Sequence, residues 1–224
     1  MPDLDVALLD IDGTLLDSAY HHALAWARAF AEVGRPVPVW ELHRHIGMGG
    51  ERLIEEVAGA EVAERLGDRL QDAWKSAYDA VIDQTRLLPG AAALLDGLGR
   101  AGLEVVLASS SIPEHAEHAL GLLDAERRTD AWTTAEDAES AKPDPELLEA
   151  ALERVRGQRA FMIGDATWDV AAAARLDVPT VGLLTGGYAE AELRDAGAVA
   201  VYRDPADLLT HLGEALATAG ARRL

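Results

Sequence analysis

The sequence predicts an α/β fold in which a doubly wound parallel sheet carries an inserted all-helical domain. From residue 88 onward, short apolar runs alternate with amphipathic helical segments, which is the pattern of parallel strands joined by right-handed crossovers. Between residues 17 and 87 we find helical patterns and no convincing strand. We therefore predict an α/β core formed by residues 1–16 and 88–224, and a helical cap formed by residues 17–87.

The elements follow in order from these patterns. An apolar run at residues 6–9 predicts a short buried strand. In the cap we predict helices at residues 19–33, at a short stretch ending at 45, at 51–58 and at 61–82, with a glycine-rich turn at 46–50. In the rest of the core we predict strands at 104–108, 131–134, 160–163, 180–184 and 198–202, and helices at 91–100, 113–123, 144–155, 167–176, 189–196 and 206–216.

Composition and charge narrow the possible functions. Acidic residues outnumber basic ones by 39 to 20, so the formal net charge is −19. That charge argues against nucleic acid, whose binding rests on basic contacts to phosphates, and against an anionic membrane surface. The absence of cysteine excludes disulfides, thiolate metal sites and cysteine nucleophiles. No apolar run approaches about 20 residues, and the opening residues are acidic rather than signal-like. We expect a cytoplasmic protein, either monomeric or homodimeric.

Carboxylates follow two of the predicted strands. Asp10 and Asp12, with Gly13 after them, come directly after the first strand, where open α/β sheets keep their sites. Such a pair can act as nucleophile and proton donor, although an Asp-Gly turn in solvent is an equally ordinary explanation. Asp165 and Asp169 follow the strand at 160–163. They are candidate metal ligands, or else an N-cap and a first-turn acid of the next helix.

Hydroxyl and amino groups follow in two further loops. Ser109 ends the strand at 104–108, and the amides near Ser110 open a helix that could bind an anion. Ser111 and Glu114 have the spacing of a helix-capping box, which explains Ser111 without any function. Lys142 precedes a proline that keeps it out of helical geometry, so it is either an electrostatic clamp or an ordinary solvated lysine.

Four stretches, in this order, resemble the four motifs of the haloacid dehalogenase-like (HAD) hydrolase superfamily. They are Asp10-Ile11-Asp12-Gly13-Thr14-Leu15, the strand ending at Ser109, Lys142-Pro143-Asp144-Pro145, and Gly164-Asp165 followed by Asp169. The helical insertion between the first and second motifs is similar to that of the subgroup containing phosphoglycolate phosphatases and β-phosphoglucomutases. The resemblance implies a Rossmann-like core beneath a helical cap.

The resemblance also implies a Mg²⁺-dependent phosphomonoesterase that acts on a small phosphorylated metabolite. Asp10 is then the nucleophile that forms an aspartyl phosphate, and Asp12 is the general acid and base. The other implied roles are phosphate binding by Ser109, Ser110 and Lys142, Mg²⁺ binding by Asp10, Asp165 and the backbone carbonyl of Asp12, and support of a metal ligand or water by Asp169.

The cap offers candidate contacts to the substrate. His22 and Trp26 lie one helical turn apart and share a face, and His22 follows the catalytic loop closely. Packing within the helix is the more ordinary explanation of His22, and solvation is the more ordinary explanation of the basic residues. The candidates are His22, Arg44, His45, Gly47, Gly49, Gly50, Arg52 and Lys75.

Other activities compete with the phosphomonoesterase. A phosphosugar mutase resembling β-phosphoglucomutase would share all four motifs and a histidine near the position of His22. A non-catalytic module that binds a phosphorylated ligand or a protein could dispense with acids that this chain keeps. A true dehalogenase does not need Asp12. A phosphonatase would need a cap lysine, and none lies between residues 17 and 74.

Overall fold

The computed structural model describes residues 4–221, which form two compact units. One unit comprises the chain up to Asp17 and from Leu87 onward, and we call it the core unit. The other comprises Ser18–Arg86, and we call it the helical unit. Within residues 4–221, no helix combines the length and the apolar character needed to cross a membrane.

The core unit contains a six-stranded sheet. Its strands are β1 (Val6–Leu9), β2 (Glu104–Ala108), β3 (Ala131–Thr133), β4 (Ala160–Gly164), β5 (Thr180–Leu183) and β6 (Ala200–Tyr202). They lie in the order β3-β2-β1-β4-β5-β6, and every neighbouring pair is parallel. The predicted doubly wound α/β fold is confirmed.

The helical unit consists of α1 (Ala19–Glu32), α2 (Val39–His43), α3 (Gly50–Ala58), α4 (Ala60–Asp79) and a short 3-10 helix (Ile82–Gln84). Stacked aromatic rings join α1 to α4. The ring centroids of Trp26 and Trp74 are 5.2 Å apart, and those of His22 and Tyr78 are 3.9 Å apart. These stacked rings form part of the unit's core, because all four lie on the facing sides of the two helices.

Helices cover both faces of the sheet in the core unit. They are α5 (Ala91–Arg100), α6 (Pro113–Leu123), α7 (Ala125–Arg128), α8 (Glu146–Leu152), α9 (Thr167–Ala174), α10 (Glu190–Ala196), α11 (Pro205–Thr210) and α12 (Leu212–Ala221). Successive side chains of β1 point to opposite faces. Leu9 packs in one apolar cluster with Leu94 of α5, and Leu8 packs in the other with Leu148 of α8. A strand buried on both faces is apolar throughout, as β1 is.

The strand order places the predicted chemistry at one edge of the sheet. The chain runs from β1 outward to β2 and β3, and then returns to β4 on the other side of β1. The carboxyl ends of these central strands therefore lie side by side where the strand order reverses, which is where open α/β sheets bind ligands. Asp10, Ser109 and Asp165 are the first residues beyond β1, β2 and β4.

One predicted helix is two helices in the structure, and the other predicted bounds lie within three residues of the observed ones. The helix predicted at 144–155 is the shorter α8, which has Pro145 as its N-cap and ends three residues early. The helix predicted at 206–216 is two helices, α11 and α12, with His211 between them. The structure also adds α7, which the sequence does not predict.

Candidate active site

Three buried aspartates lie together at the carboxyl edge of the sheet. Asp10 follows β1, Asp165 follows β4, and Asp169 lies in the first turn of α9. Carboxylate oxygens from the three residues all lie within 4.8 Å of one another. The structure therefore brings Asp10 together with two acids that lie more than 150 positions later in the sequence.

Lys142 lies among these acids and is completely buried. Its Nζ donates hydrogen bonds to Asp10 Oδ1 at 2.5 Å and to Asp169 Oδ1 at 2.8 Å, with the carbonyl oxygen of Ala108 at 3.4 Å. The residue sits in the loop before α8, and its peptide bond to Pro143 is cis. A solvated lysine, the alternative that the sequence leaves open, is therefore wrong.

Asp169 has protein donors on both carboxylate oxygens. Oδ1 accepts from Lys142, and Oδ2 accepts from the backbone N–H of Ala166 at 3.1 Å. The N-cap of α9 is Ala166, so the alternative reading of Asp165 as the N-cap is wrong. Asp169 therefore helps to fix the ammonium of Lys142 in place.

Asp165 is held by contacts that no local sequence pattern indicates. The hydroxyl of Thr14 donates to Asp165 Oδ1 at 2.6 Å, and Thr14 is completely buried. Two glycines pack against the other carboxylate oxygen, Oδ2. A Cβ built on Gly13 would lie 2.4 Å from Asp165 Oδ2, and one built on Gly186 would lie 2.0 Å from it. Only a residue without a side chain leaves the carboxylate where it is at these two positions.

Asp12 and the serines after β2 form a second set of contacts. The hydroxyl of Ser111 donates to Asp12 Oδ2 at 2.7 Å, and the backbone N–H of Ser111 donates to Ser109 Oγ at 3.1 Å. The capping box predicted for Ser111 and Glu114 is wrong, because Ile112 is the N-cap of α6 and no side chain caps that helix. Ser110 lies between the two other serines and is partly exposed.

The pairing of β1 with β2 brings the loop that carries Ser111 close to Asp12. Asp12 lies three residues beyond the end of β1, and Ser111 lies three residues beyond the end of β2. The two strands are parallel neighbours, with Leu9 opposite Leu107. Continued beyond the strands, this register places Ser110 level with Asp12 and Ser111 one residue further, so it brings the serine loop to Asp12 without selecting Ser111.

The acids and Lys142 shift one another's proton affinities. Burial raises the pKa of Asp10 to about 7 against the attraction of Lys142, and repulsion from Asp169 and Asp12 adds to the increase. Burial and repulsion from Asp169 and Asp10 also raise the pKa of Asp165 well above its usual range. For Lys142, burial lowers the pKa, but attraction to Asp10 and Asp169 outweighs it and gives a net increase. The ammonium therefore stays protonated.

This donor set fits a hard divalent cation. Three buried carboxyl groups lie around one ammonium, so a second positive charge would relieve the repulsion between them. Asp10 and Asp165 each offer carboxylate oxygens, the ligand type that Mg²⁺ prefers, on adjacent strand ends. No thiol competes, since the chain has no cysteine.

Two candidate substrate contacts of the helical unit, His22 and Lys75, have partners within that unit. His22 is buried and stacks on Tyr78, with Trp74 at 5.7 Å between ring centroids. The ammonium of Lys75 lies 3.0 Å from Asp79 Oδ2 in an exposed ion pair. Arg44 is the C-cap of α2 and is partly exposed.

The glycine-rich turn of the helical unit has a conformation that requires glycine. Gly47 and Gly49 have φ angles of 96° and 79°, in the left-handed region that side chains disfavour. Gly50 begins α3, and a Cβ there would lie 3.1 Å from the indole of Trp26. Nearby, the ring of His45 contacts the carbonyl oxygen of Glu41 through Nδ1 at 2.9 Å.

Comparison with known families and proteins gives consistent similarities. The model of the haloacid dehalogenase-like hydrolases matches residues 4–177, and a second HAD-hydrolase-like model matches residues 140–215. Validoxylamine A 7'-phosphate phosphatase of Streptomyces hygroscopicus subsp. limoneus is 33% identical, over 83% of this chain and 88% of that protein. Phosphoglycolate phosphatase of Agrobacterium fabrum is 29% identical, over 96% of this chain and 95% of that protein.

Solved structures with similar folds include both hydrolases and mutases. A hydrolase from Pseudomonas syringae has a TM-score of 0.88 and 36% identity, and the match covers 94% of this chain and 98% of that one. A β-phosphoglucomutase from Clostridium difficile has a TM-score of 0.81 at 21% identity, covering 96% and 97% of the two chains. The second similarity reflects the fold alone.

Proposed function

This chain belongs to the haloacid dehalogenase-like hydrolase family, and we propose that it is a Mg²⁺-dependent phosphomonoesterase that acts through an aspartyl phosphate. The observation that carries the proposal is the buried ion pair between Lys142 and Asp10. It holds a carboxylate against a fixed positive charge at the edge of the sheet where ligands bind. A small phosphorylated metabolite is the proposed substrate.

Asp10 is the proposed nucleophile. A carboxylate oxygen of Asp10 attacks phosphorus, the new O–P bond forms, and the bond from phosphorus to the leaving alcohol breaks. Hydrolysis of the resulting aspartyl phosphate by water releases inorganic phosphate and regenerates Asp10. Lys142 compensates the negative charge that Asp10 and a phosphoryl group would otherwise bring together, which is the main task of a protein in phosphoryl transfer.

Asp12 is the proposed general acid and base. In the first step its carboxyl group gives a proton to the leaving alcohol, and in the second its carboxylate takes a proton from the attacking water. Its hydrogen bond from Ser111 holds it beside the loop that carries Ser109. Ser109, Ser110 and Lys142 are the proposed ligands of the phosphoryl oxygens.

The metal site follows from the same residues. Carboxylates of Asp10 and Asp165, with the backbone carbonyl of Asp12, would hold Mg²⁺. When bound, the ion neutralises phosphoryl charge and so permits an anionic nucleophile to approach. Asp169 is the proposed support of a metal ligand or water, and it also accepts a hydrogen bond from the ammonium of Lys142.

The substrate class is proposed from the relatives and from the chemistry. Proteins named as phosphatases of validoxylamine A 7'-phosphate and of phosphoglycolate support a small phosphomonoester of an alcohol. His22, Arg44, Gly47 and Lys75 remain the proposed substrate contacts in the helical unit. A phosphosugar mutase is the second candidate, since it would share all four motifs.

A screen of phosphorylated metabolites tests the proposal. The purified chain is incubated with Mg²⁺ and each metabolite, and both phosphate release and sugar-phosphate isomerisation are measured. We expect phosphate release from at least one small phosphomonoester, and none from the Asp10→Asn variant. Absence of release from every metabolite, or release that survives in Asp10→Asn, would refute the proposed function.

A further inference from the structure

We infer that Ser111 is a positioning residue that aligns the proton-transferring carboxyl group of Asp12 with the phosphate-binding hydroxyl of Ser109. The inference rests on the proposed function. Ser111 is buried, and each of its three polar groups has a partner. Its hydroxyl donates to Asp12 Oδ2 at 2.7 Å, its N–H donates to Ser109 Oγ at 3.1 Å, and its carbonyl accepts from the N–H of Ala135 at 3.0 Å.

The bond to Asp12 restrains the orientation of its carboxyl group. A hydroxyl that donates to Oδ2 fixes the plane of the carboxyl group and assigns proton transfer to the other oxygen, Oδ1. The same bond persists in both half-reactions, because adding a proton to Oδ1 or removing it leaves Oδ2 an acceptor. Proton transfer is sensitive to such alignment, since a displacement of about 1 Å can slow a reaction by ~10²-fold.

The hydrogen bond from the N–H of Ser111 restrains the hydroxyl group of Ser109. Its Oγ accepts the N–H of Ser111, so its own O–H proton points in another direction and can be donated to a phosphoryl oxygen. Ser109 is buried, and its backbone N–H donates to the carbonyl oxygen of Thr133 at 3.1 Å. Ser111 thus connects the group that binds the phosphoryl oxygen to the group that moves the proton.

A direct phosphate contact is the competing role for Ser111. Its hydroxyl carries one proton, and that proton is directed at Asp12. A phosphate ligand would change KM when removed, whereas a residue that orients Asp12 would change the rate of the chemical step. The two roles therefore predict different kinetics.

The test compares Ser111→Ala, Ser111→Thr, which keeps the hydroxyl, and Ser111→Cys, which keeps the size but donates weakly. Ser76→Ala, an exposed serine of α4, is the control. Formation of the aspartyl phosphate is measured in single turnovers with an alkyl phosphomonoester and with p-nitrophenyl phosphate. The second substrate needs no proton on its leaving group, so its first step does not depend on the alignment of Asp12.

We expect Ser111→Ala and Ser111→Cys to slow aspartyl phosphate formation from the alkyl ester by about tenfold, with KM changed by less than about twofold. The step with p-nitrophenyl phosphate should stay within about twofold of wild type, and Ser111→Thr should recover most of the lost rate. Because Ser111→Cys carries the same expectation, a poorly folded alanine variant does not remove the test.

Three results would overturn the inference. They are wild-type rates in both Ser111→Ala and Ser111→Cys, equal losses with both substrates, and a raised KM with unchanged kcat. A wild-type chain that hydrolyses neither substrate would refute the proposed function and the inference with it. An active wild type beside unaffected variants would refute the inference alone.

Discussion

The ammonium of Lys142 lies 2.5 Å from Oδ1 of Asp10, although the two residues are 132 positions apart in the chain. Both side chains are almost completely removed from solvent. Removing one partner of a buried pair typically costs about 3–5 kcal/mol, because the remaining charge is left uncompensated. The pair is therefore expected to join the loop before α8 to the end of β1 and to set the charge state of the proposed nucleophile.

Asp10→Asn tests the role of the nucleophile. We expect the variant to fold, because the amide is the same size and Lys142 keeps its bond to Asp169. Turnover should be lost, since an amide cannot form an acyl phosphate. Phosphate release and thermal unfolding are measured on the same preparation. More than about a hundredth of wild-type activity would argue against covalent catalysis by Asp10.

Metal removal tests the proposed cation site. Without a cation, the carboxylates around Lys142 and a phosphoryl dianion would repel one another. We therefore expect EDTA to abolish turnover and excess Mg²⁺ to restore it. Asp165→Ala should raise the Mg²⁺ concentration needed or eliminate turnover. Full activity in metal-free buffer would contradict the requirement for a cation.

Gly186→Ala should weaken metal binding although it replaces none of the proposed metal ligands. The new Cβ would overlap Asp165 Oδ2 at 2.0 Å, and the carboxylate must move. Disturbing the groups that orient a ligand typically costs about 10–100-fold in metal affinity, and we expect a loss in that range. The measurement is the Mg²⁺ dependence of turnover.

Gly213→Ala is the matched control for Gly186→Ala. Gly213 lies in α12 with no atom within 4 Å of the added Cβ, so its replacement should leave the Mg²⁺ dependence unchanged. Helix propensity should make that control slightly more stable, by about 0.5–1 kcal/mol. Equal Mg²⁺ dependence in the two variants would show that the contact between Gly186 and Asp165 has no effect on the metal.

The sequence predicts the elements well where the pattern is local. The apolar run of β1 and the apolar stripe of α6 lead to the observed bounds, Val6–Leu9 and Pro113–Leu123, because burial imposes those patterns residue by residue. The motif residues Asp10, Lys142 and Asp165 are also placed correctly at one edge of the sheet. For Asp10 and Asp165 that placement follows from parallel strands whose carboxyl ends coincide, whereas Lys142 was placed there by its resemblance to the third motif.

The supporting contacts could not be predicted because they join distant parts of the chain. Thr14 and Asp165 are 151 positions apart, and no local pattern pairs them. Ser111 is a different case, since its spacing to Glu114 matches a capping box. The carboxylate of Asp12, 99 positions away, takes the hydroxyl instead. Ser111 lies one residue before the N-cap of α6, so its hydroxyl contacts Asp12 and does not cap the helix.

Asp204 provides a pH-dependent test of stability away from the site. It is the N-cap of α11 and accepts the N–H of Asp207 at 2.8 Å. Burial raises the pKa of Asp204, but this bond and the ion pair with Arg203 outweigh burial, so the net pKa lies below its usual value. The ionised form is thus favoured by folding. Its contribution is present above pH 3.8 and is lost as the pH falls through the lowered pKa.

Asp204→Ala should therefore lower the free energy of unfolding by about 1 kcal/mol at pH 7, which is the typical contribution of an N-cap. The difference from wild type should shrink at pH values below the lowered pKa, where Asp204 is protonated in both states. Urea unfolding at pH 7 and in acid measures both quantities. Asp204→Asn can still cap the helix, so its free energy of unfolding at pH 7 should fall much less. A difference from wild type that does not change with pH would contradict the role of ionised Asp204.

His22 separates structural packing in the helical unit from a role in catalysis. Its ring stacks on Tyr78 at 3.9 Å, so His22→Ala should lower stability through lost packing. His22→Phe keeps an aromatic ring and removes the imidazole nitrogens. For a phosphatase we expect either change to lower turnover by no more than about tenfold, or ~1.4 kcal/mol in the barrier.

A mutase would respond differently to the same variants. It must keep its aspartyl phosphate from water until the bisphosphate intermediate has turned over, and it needs a group that aligns the acid with the sugar hydroxyl. His22 is the candidate for that group, so both His22 variants would then lose most activity. The measurement is incubation with β-glucose 1-phosphate and a trace of the 1,6-bisphosphate. We expect phosphate release to exceed formation of glucose 6-phosphate. If glucose 6-phosphate forms much faster than phosphate is released, and if this activity is lost in His22→Phe, the protein is a mutase rather than a phosphatase.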